Sequence, residues 1–203
     1  MPDDAKPRQN PFRTAPNLLS LLRICLAPFL VATVLEAHYA LSLGLFVAAG
    51  LTDALDGRLA RVLKQRSQLG QYLDPVADKL LLSTLFLALT HQGLIPVTVT
   101  ALVFGRDVGI VVVAAILYAA AGRREFGPSL LGKANTVAQV AAVAAVLLQA
   151  MLLDQHATVR WVATFKQWAL YATIVLTVGS GLHYAWMAAR RVSAPAVNGQ
   201  GAK

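Results

Sequence analysis

Charge is scarce in this chain of 203 residues: Asp, Glu, Lys and Arg make up 14% of it, where soluble domains carry about 25%. Hydrophobic residues reach 57% and the mean hydropathy is +0.58, which excludes an ordinary soluble core. Cysteine is all but missing. Cys25 stands alone, so there is neither a disulfide framework nor a cysteine-built metal site, and it reads as a small apolar residue inside a helix. Acids are outnumbered, 10 against 18 Lys and Arg, for a net charge of +8. The bases do not gather into one stripe, which argues against a nucleic-acid partner. They sit at the edges of apolar runs, as topology signals and contacts with anionic lipid or phosphate do. No small-residue cleavage site follows the first apolar run, so residues 1–15 (MPDDAKPRQNPFRTA) read as a tail, not as a cleavable signal or a transit peptide. An internal repeat is lacking as well, and many transporters carry one.

What the chain has is six apolar segments, at about 17–35, 39–60, 69–90, 96–121, 133–153 and 165–189. Each is long enough to cross a hydrocarbon core at about 1.5 Å per residue. The fold class expected is therefore all-α integral membrane, with six transmembrane helices and both termini cytoplasmic. The bases set the orientation. Lys6, Arg8 and Arg13; Arg58, Arg61, Lys64 and Arg66; Arg123, Arg124 and Lys133; and Arg190, Arg191 and Lys203 fall on one side, and only Arg160 and Lys166 in the opposite loops. The domain reading is a cytoplasmic tail over 1–15, one transmembrane domain over 16–190 and a disordered tail over 191–203 containing Pro195, Gly199 and Gly201. His91-Gln92-Gly93 with Pro96 marks a tight connection. Trp161, Trp168, Tyr184 and Trp186 flank the sixth segment as an interfacial belt. The four histidines, His38, His91, His156 and His183, read as solvated or packed groups.

The informative stretch is residues 51–79, LTDALDGRLARVLKQRSQLGQYLDPVADK. Asp53 and Asp56 are three apart on one expected helix, and Asp74 and Asp78 four apart on the next, so each pair shares a helical face. A short polar loop makes the two helices neighbours. Four carboxylates near a bilayer boundary stay ionised only if cations neutralise them. All-oxygen ligation suits a hard ion such as Mg²⁺ or Mn²⁺, and four shared carboxylates suffice for two such ions clamping a phosphoryl group. A helix cap or salt bridges with Arg58, Arg61 and Lys79 are the plain alternatives. Gly57, Ala60 and Gly70 leave room for a ligand or for ordinary helix packing. Arg61 can pair bidentately with a diphosphate or serve as a positive-inside anchor. A cation transporter is a remote alternative that intramembrane acids permit.

Residues 53–78 can be written D-x2-D-G-x2-A-R-x8-G-x3-D-x3-D, with Asp53, Asp56, Gly57, Ala60, Arg61, Gly70, Asp74 and Asp78 at the fixed positions. This resembles the signature of the CDP-alcohol phosphotransferase (CDP-alcohol phosphatidyltransferase) family of integral membrane enzymes. The resemblance implies six membrane helices, a homodimer, and transfer from a CDP-linked donor, usually CDP-diacylglycerol, with release of CMP. It implies that Asp53, Asp56, Asp74 and Asp78 hold two divalent cations, Mg²⁺ or Mn²⁺, and that Asp78 is the general base for the acceptor hydroxyl. Asp56, Gly57, Ala60, Arg61 and Gly70 would line the CDP pocket. The implied location is the bacterial inner (plasma) membrane, among membrane lipids, with the site facing the cytoplasm.

Two acceptors fit. Pro16-Asn17-Leu18-Leu19-Ser20-Leu21-Leu22-Arg23 is similar to the opening of both phosphatidylglycerophosphate synthases and eukaryotic-type cardiolipin synthases. The run from Gln65 to Lys79, Gly105-Arg106-Asp107-Val108 and Gly132-Lys133-Ala134-Asn135-Thr136 are closer to the cardiolipin synthases. A phosphomonoester acceptor such as glycerol 3-phosphate requires several cations, whereas phosphatidylglycerol has one diester charge and needs fewer. Phosphatidylglycerol, giving cardiolipin, is the favoured reading, and Arg123 and Arg124 could supply the charge for the other. Arg106 and Lys133 are the acceptor-phosphate candidates, against an internal Arg106–Asp107 contact and an interface anchor. Asn17, Ser20 and Arg23 could support the site from the first helix, or Arg23 could snorkel to headgroups.

Overall fold

The computed structural model describes residues 15–62, 68–121 and 130–192, with side chains described over 21–53, 79–112, 130–187 and at 189. All the regular structure there is helical: α1 Ala15–Leu35, α2 Tyr39–Val62, α3 Gln68–His91, α4 Val97–Ala121, α5 Leu130–Asp154 and α6 Arg160–Val192. These are the six helices expected, with boundaries displaced by a few residues. The largest displacement is in α6, which begins at Arg160 and runs for 33 residues. Arg160 and Lys166, expected in an outer loop, are thus helical. The Val159 carbonyl accepts from the amides of both Val162 and Ala163, which starts the helix early. At about 1.5 Å per residue even the shortest, α1, is about 31 Å long, the thickness of a hydrocarbon core. Among the described residues, α5 is the helix long and apolar enough to cross a membrane by composition. Leu21–Leu35, Tyr39–Asp53 and Lys79–His91 are shorter apolar stretches.

The chain groups into two compact units, Met1–Pro96 with Val143–Lys166, and Val97–Ala142 with Gln167–Lys203. In the first, α1 packs on both α2 and α3. Ala27, Leu30 and Val34 on α1, and Leu81, Leu85 and Leu89 on α3, are buried at three- and four-residue spacing, the stripe by which one helix presents a continuous apolar face to another. Phe86 is also fully buried. Pro28 lies inside α1, and an apolar cavity of about 720 Å³ lined by Ile24, Pro28, Val31, Leu80, Thr84 and Leu87 runs alongside.

Three helices of this unit stop in the same way. The amides of Ala37, Gly93 and His156 reach back three residues to Val34, Thr90 and Leu153, while those of His38, Leu94 and Ala157 reach back five. Each turn residue is left-handed, with φ of 59° at Ala37, 71° at Gly93 and 57° at His156, as this C-cap requires. Gln92 adds a side-chain cap. Its Nε2 donates to the carbonyls of Val34 (2.9 Å) and Leu35 (2.6 Å), tying the end of α1 to the turn after α3.

The second unit buries a different set. Thr173, Thr177 and Ser180 form the inner stripe of α6, with Asn135 and Gln139 one turn apart on α5. In both units large apolar side chains face outward, including Phe29, Val47 and Leu87 in the first and Val108, Val137, Trp168 and Leu182 in the second.

Candidate active site

Helix register places the four aspartates. Asp56 stands six residues before the end of α2 at Val62, and Asp74 six residues after the start of α3 at Gln68. Each is about 9 Å of helix from the 63–67 connection. Asp53 and Asp78 stand about one turn further in. Both acidic pairs therefore occupy the helix ends that this connection joins, at similar distances along their helices from it. Gly57, Ala60 and Arg61 continue α2 toward Val62, and Gly70 is the third residue of α3. The side chains of Asp56, Ala60, Arg61, Asp74 and Asp78 lie outside the described residues, as do those of Asn17 and Ser20. Arg123 and Arg124 lie outside them altogether.

Asp53 is described, and it is held. Arg23 Nη2 on α1 donates to Asp53 Oδ1 at 2.5 Å. The Arg23 side chain is 5% exposed, whereas that of Asp53 is 49% exposed. Arg23 therefore does not snorkel to headgroups; its charge is paired with a residue 30 positions away, as a buried cation requires. Among the described residues no group of three or more His, Cys, Asp or Glu gathers, because Asp53 is the one member of the set of four with a described side chain. The donor chemistry nonetheless fits a hard divalent ion: carboxylate oxygen with no thiol or imidazole in the set, and Asp53 half open to an approaching cation.

The acceptor-side candidates lie in the second unit. Arg106 Nη1 pairs with Asp107 Oδ1 at 2.8 Å, its Nε donates to Ser180 Oγ at 3.2 Å, and its guanidinium carbon lies 6.0 Å from the centre of the Tyr184 ring, within cation–π range. The internal contact foreseen for Arg106 is therefore present, alongside two partners on α6 that were not foreseen. Lys133, in the first turn of α5, is exposed. Close by in the same helix, Asn135 Oδ1 accepts from Thr177 Oγ1 at 2.9 Å, and Ser180 Oγ donates to the Thr177 carbonyl at 3.1 Å. Thr173, Thr177, Ser180 and Gln139 were not singled out from sequence. Their signal was polar residues at four- and three-residue spacing within apolar helices.

The histidines behave as expected. His38 faces Glu36 in the turn after α1, 3.3 Å away, with both side chains exposed. His183 meets the Tyr184 ring edge-on and lies tilted beside Trp186. Trp161, Trp168 and Trp186 are exposed on α6.

A family model described as CDP-alcohol phosphatidyltransferase matches residues 13–179, from the start of α1 through most of α6. The chain is 40% identical over 157 residues to a cardiolipin synthase (CMP-forming) of Homo sapiens, covering 68% of this chain and 51% of that protein. It is 41% identical over the same extent to that of Rattus norvegicus. It is also 30% identical over 199 residues to CDP-diacylglycerol–glycerol-3-phosphate 3-phosphatidyltransferase 1, chloroplastic, of Oryza sativa subsp. japonica, covering 89% of this chain and 60% of that protein. The chain spans about half the length of the human and rat relatives.

Proposed function

Since the chain belongs to the CDP-alcohol phosphatidyltransferase family, an integral membrane family that uses divalent metal, we propose that it transfers the phosphatidyl group of CDP-diacylglycerol to phosphatidylglycerol, giving cardiolipin and CMP. The observation that carries this reading is that the two aspartate pairs lie on the helix ends that the 63–67 connection joins, each about six residues or more from it, an arrangement that suits a site serving one diphosphate.

Asp53, Asp56, Asp74 and Asp78 would hold two ions, Mg²⁺ or Mn²⁺. When bound, the metals would neutralise the diphosphate and stabilise charge gathering on its oxygens. Arg61, one residue before the end of α2 at Val62, would clamp the diphosphate with its planar fork. Gly57, Ala60 and Gly70 are small enough to let the CDP moiety approach the backbone. Asp78 would take the proton of the acceptor hydroxyl as that oxygen attacks the phosphorus bearing diacylglycerol. The bond from that phosphorus to the CMP oxygen breaks, and CMP leaves with the electron pair. Asn17, Ser20 and Arg23 would support the site from α1.

For the acceptor, Arg106 and Lys133 are the proposed phosphate contacts. Arg106 already faces Asp107 at 2.8 Å, which leaves less charge for a dianionic monoester and supports the singly charged diester. A second reading, glycerol 3-phosphate as acceptor with Arg123 and Arg124 adding charge, has the rice relative behind it. The proposed setting is six membrane spans with both termini cytoplasmic, a homodimer, and the bacterial inner membrane with the site on its cytoplasmic face.

Thin-layer analysis of labelled product from purified protein, CDP-diacylglycerol and Mg²⁺ or Mn²⁺ tests this, with phosphatidylglycerol and glycerol 3-phosphate in parallel. Cardiolipin is expected. Phosphatidylglycerophosphate would establish the second reading, and no CMP release with any polyol, glycerophosphate or phospholipid would overturn both. Asp78→Asn should abolish turnover while keeping most donor binding. A loss of donor binding as severe as in Asp53→Asn would leave Asp78 a metal ligand only.

A further inference from the structure

Arg23 is the one charged residue of α1. Burying a guanidinium is costly unless a counter-charge meets it, and the described counter-charge is a member of the aspartate set. The contact is lopsided. Arg23 is almost fully enclosed, whereas half of the Asp53 side chain is open, and among the described residues Arg23 grips Asp53 through Oδ1. One oxygen is therefore held from the α1 side while about half of the Asp53 side chain stays exposed.

We propose that Arg23 is a positioning residue that acts as the resident cation of the aspartate set: it holds Asp53 aimed before metal arrives, and it lowers the affinity for metal so that full loading depends on the donor's diphosphate. This rests on the proposed metal-holding role of Asp53. Four carboxylates alone would match the charge of two divalent ions. With Arg23 present the loaded set carries one positive charge in excess, which a diphosphate dianion more than offsets. The ions are thereby held firmly with donor and loosely without it. Asp53 Oδ1 serves Arg23 throughout, and the metal takes its share from the open side.

Mn²⁺ binding to the purified full-length protein in detergent, read by electron paramagnetic resonance without nucleotide, tests the inference apart from activity. Removing one positive charge a few ångströms from the ion in a half-exposed setting should tighten Mn²⁺ binding about tenfold in Arg23→Gln, while Arg23→Lys, which keeps the charge, should stay within about threefold of wild type. The Mg²⁺-induced rise in thermal midpoint should also be larger in Arg23→Gln than in wild type. A merely structural arginine would lower the midpoint equally with and without Mg²⁺ and leave Mn²⁺ affinity unchanged, which would overturn the proposal. So would weaker binding in Arg23→Gln, or a lysine variant that behaves like the glutamine one. Asp53→Asn separates this failure from that of the underlying reading: Mn²⁺ affinity equal to wild type there would remove Asp53 from the metal site itself. Should Arg23→Gln not fold, the guanidinium ¹⁵N signals of Arg23 in the wild type take its place. A shift on adding Mg²⁺ supports the proposal, and none overturns it.

Discussion

In the unit built on α1 and α3 the fully buried side chains include Leu30, Val34, Leu85, Phe86 and Leu89, whereas the unit that holds α4 buries Asn135, Gln139, Thr173, Thr177 and Ser180. Their outer faces are alike, both carrying exposed leucine, valine and aromatic residues. In water such a pair would make no sense, because there a leucine is stabilised by turning inward. In lipid the outside is as apolar as the inside, so leucine gains only packing by burial, while a polar side chain has no solvent to turn to. Small hydroxyl residues then become good core residues, since they pack closely and bond to their own helix, as Thr173 does to the Ala169 carbonyl at 2.9 Å. Amide and charged residues do not share that ease. Where they are buried, a pairing or a task must account for them.

The largest expected effect separates the two kinds of core directly. Arg106→Met removes the guanidinium that faces Asp107, in a pair whose side chains are 8% and 16% exposed, and should cost about 3 kcal/mol of stability. Arg106→Met with Asp107→Leu should recover most of it, since an apolar pair of similar volume replaces the charges. Leu85→Ala in the other unit should cost about 2 kcal/mol, the cavity contribution alone. Thermal unfolding in detergent ranks the three. If the double variant is as unstable as the single one, the pair is not a self-contained unit of charge.

A smaller effect, of opposite sign, is expected one turn along α5 from Asn135. Gln139 is 4% exposed and its Nε2 meets no partner among the described residues; Asn135 Nδ2 is in the same position. A buried amide donor left unmet costs about 1–3 kcal/mol. Gln139→Met keeps the length and removes the donor, so it should raise stability by about 1 kcal/mol. A fall in the thermal midpoint would mean that the amide is bonded in the working protein, to water or to a bound molecule, and would make this core functional ground.

Much of this was open to reading in the sequence because the deciding signals are local. Six apolar runs became six helices, and the aspartates fall toward the ends of α2 and α3 that the 63–67 connection joins. The eight-position signature led to the family whose model matches residues 13–179. Arg106 and Asp107 are adjacent, so their contact could be weighed beforehand. The Arg23–Asp53 pair could not: its members are 30 residues apart, and a lone arginine near a helix start is equally compatible with snorkelling. The Thr173, Thr177 and Ser180 stripe escaped notice because hydroxyl residues that bond to their own helix leave little mark on an apolar run.

The turns show the same limit at single-residue scale, and they supply the smallest prediction. Gly93 announced a helix stop, since glycine enters the left-handed region without steric cost. Ala37 and His156 adopt the same conformation in the same hydrogen-bonded turn, yet nothing in either residue type signals it. Their φ is imposed by the turn that leads each chain segment into α2 or α6, against a preference of about 1–2 kcal/mol for the right-handed side. Ala37→Gly should therefore stabilise the protein by about 0.5 kcal/mol, the relief of strain less the added freedom of glycine in the unfolded chain. Gly93→Ala is its mirror. A Cβ there would meet nothing within 4 Å, so its expected cost of about 1 kcal/mol is purely one of backbone conformation. Opposite shifts in thermal midpoint for the two variants are the outcome this account requires. A loss of stability in both would mean that the Ala37 methyl contributes packing that outweighs its strain.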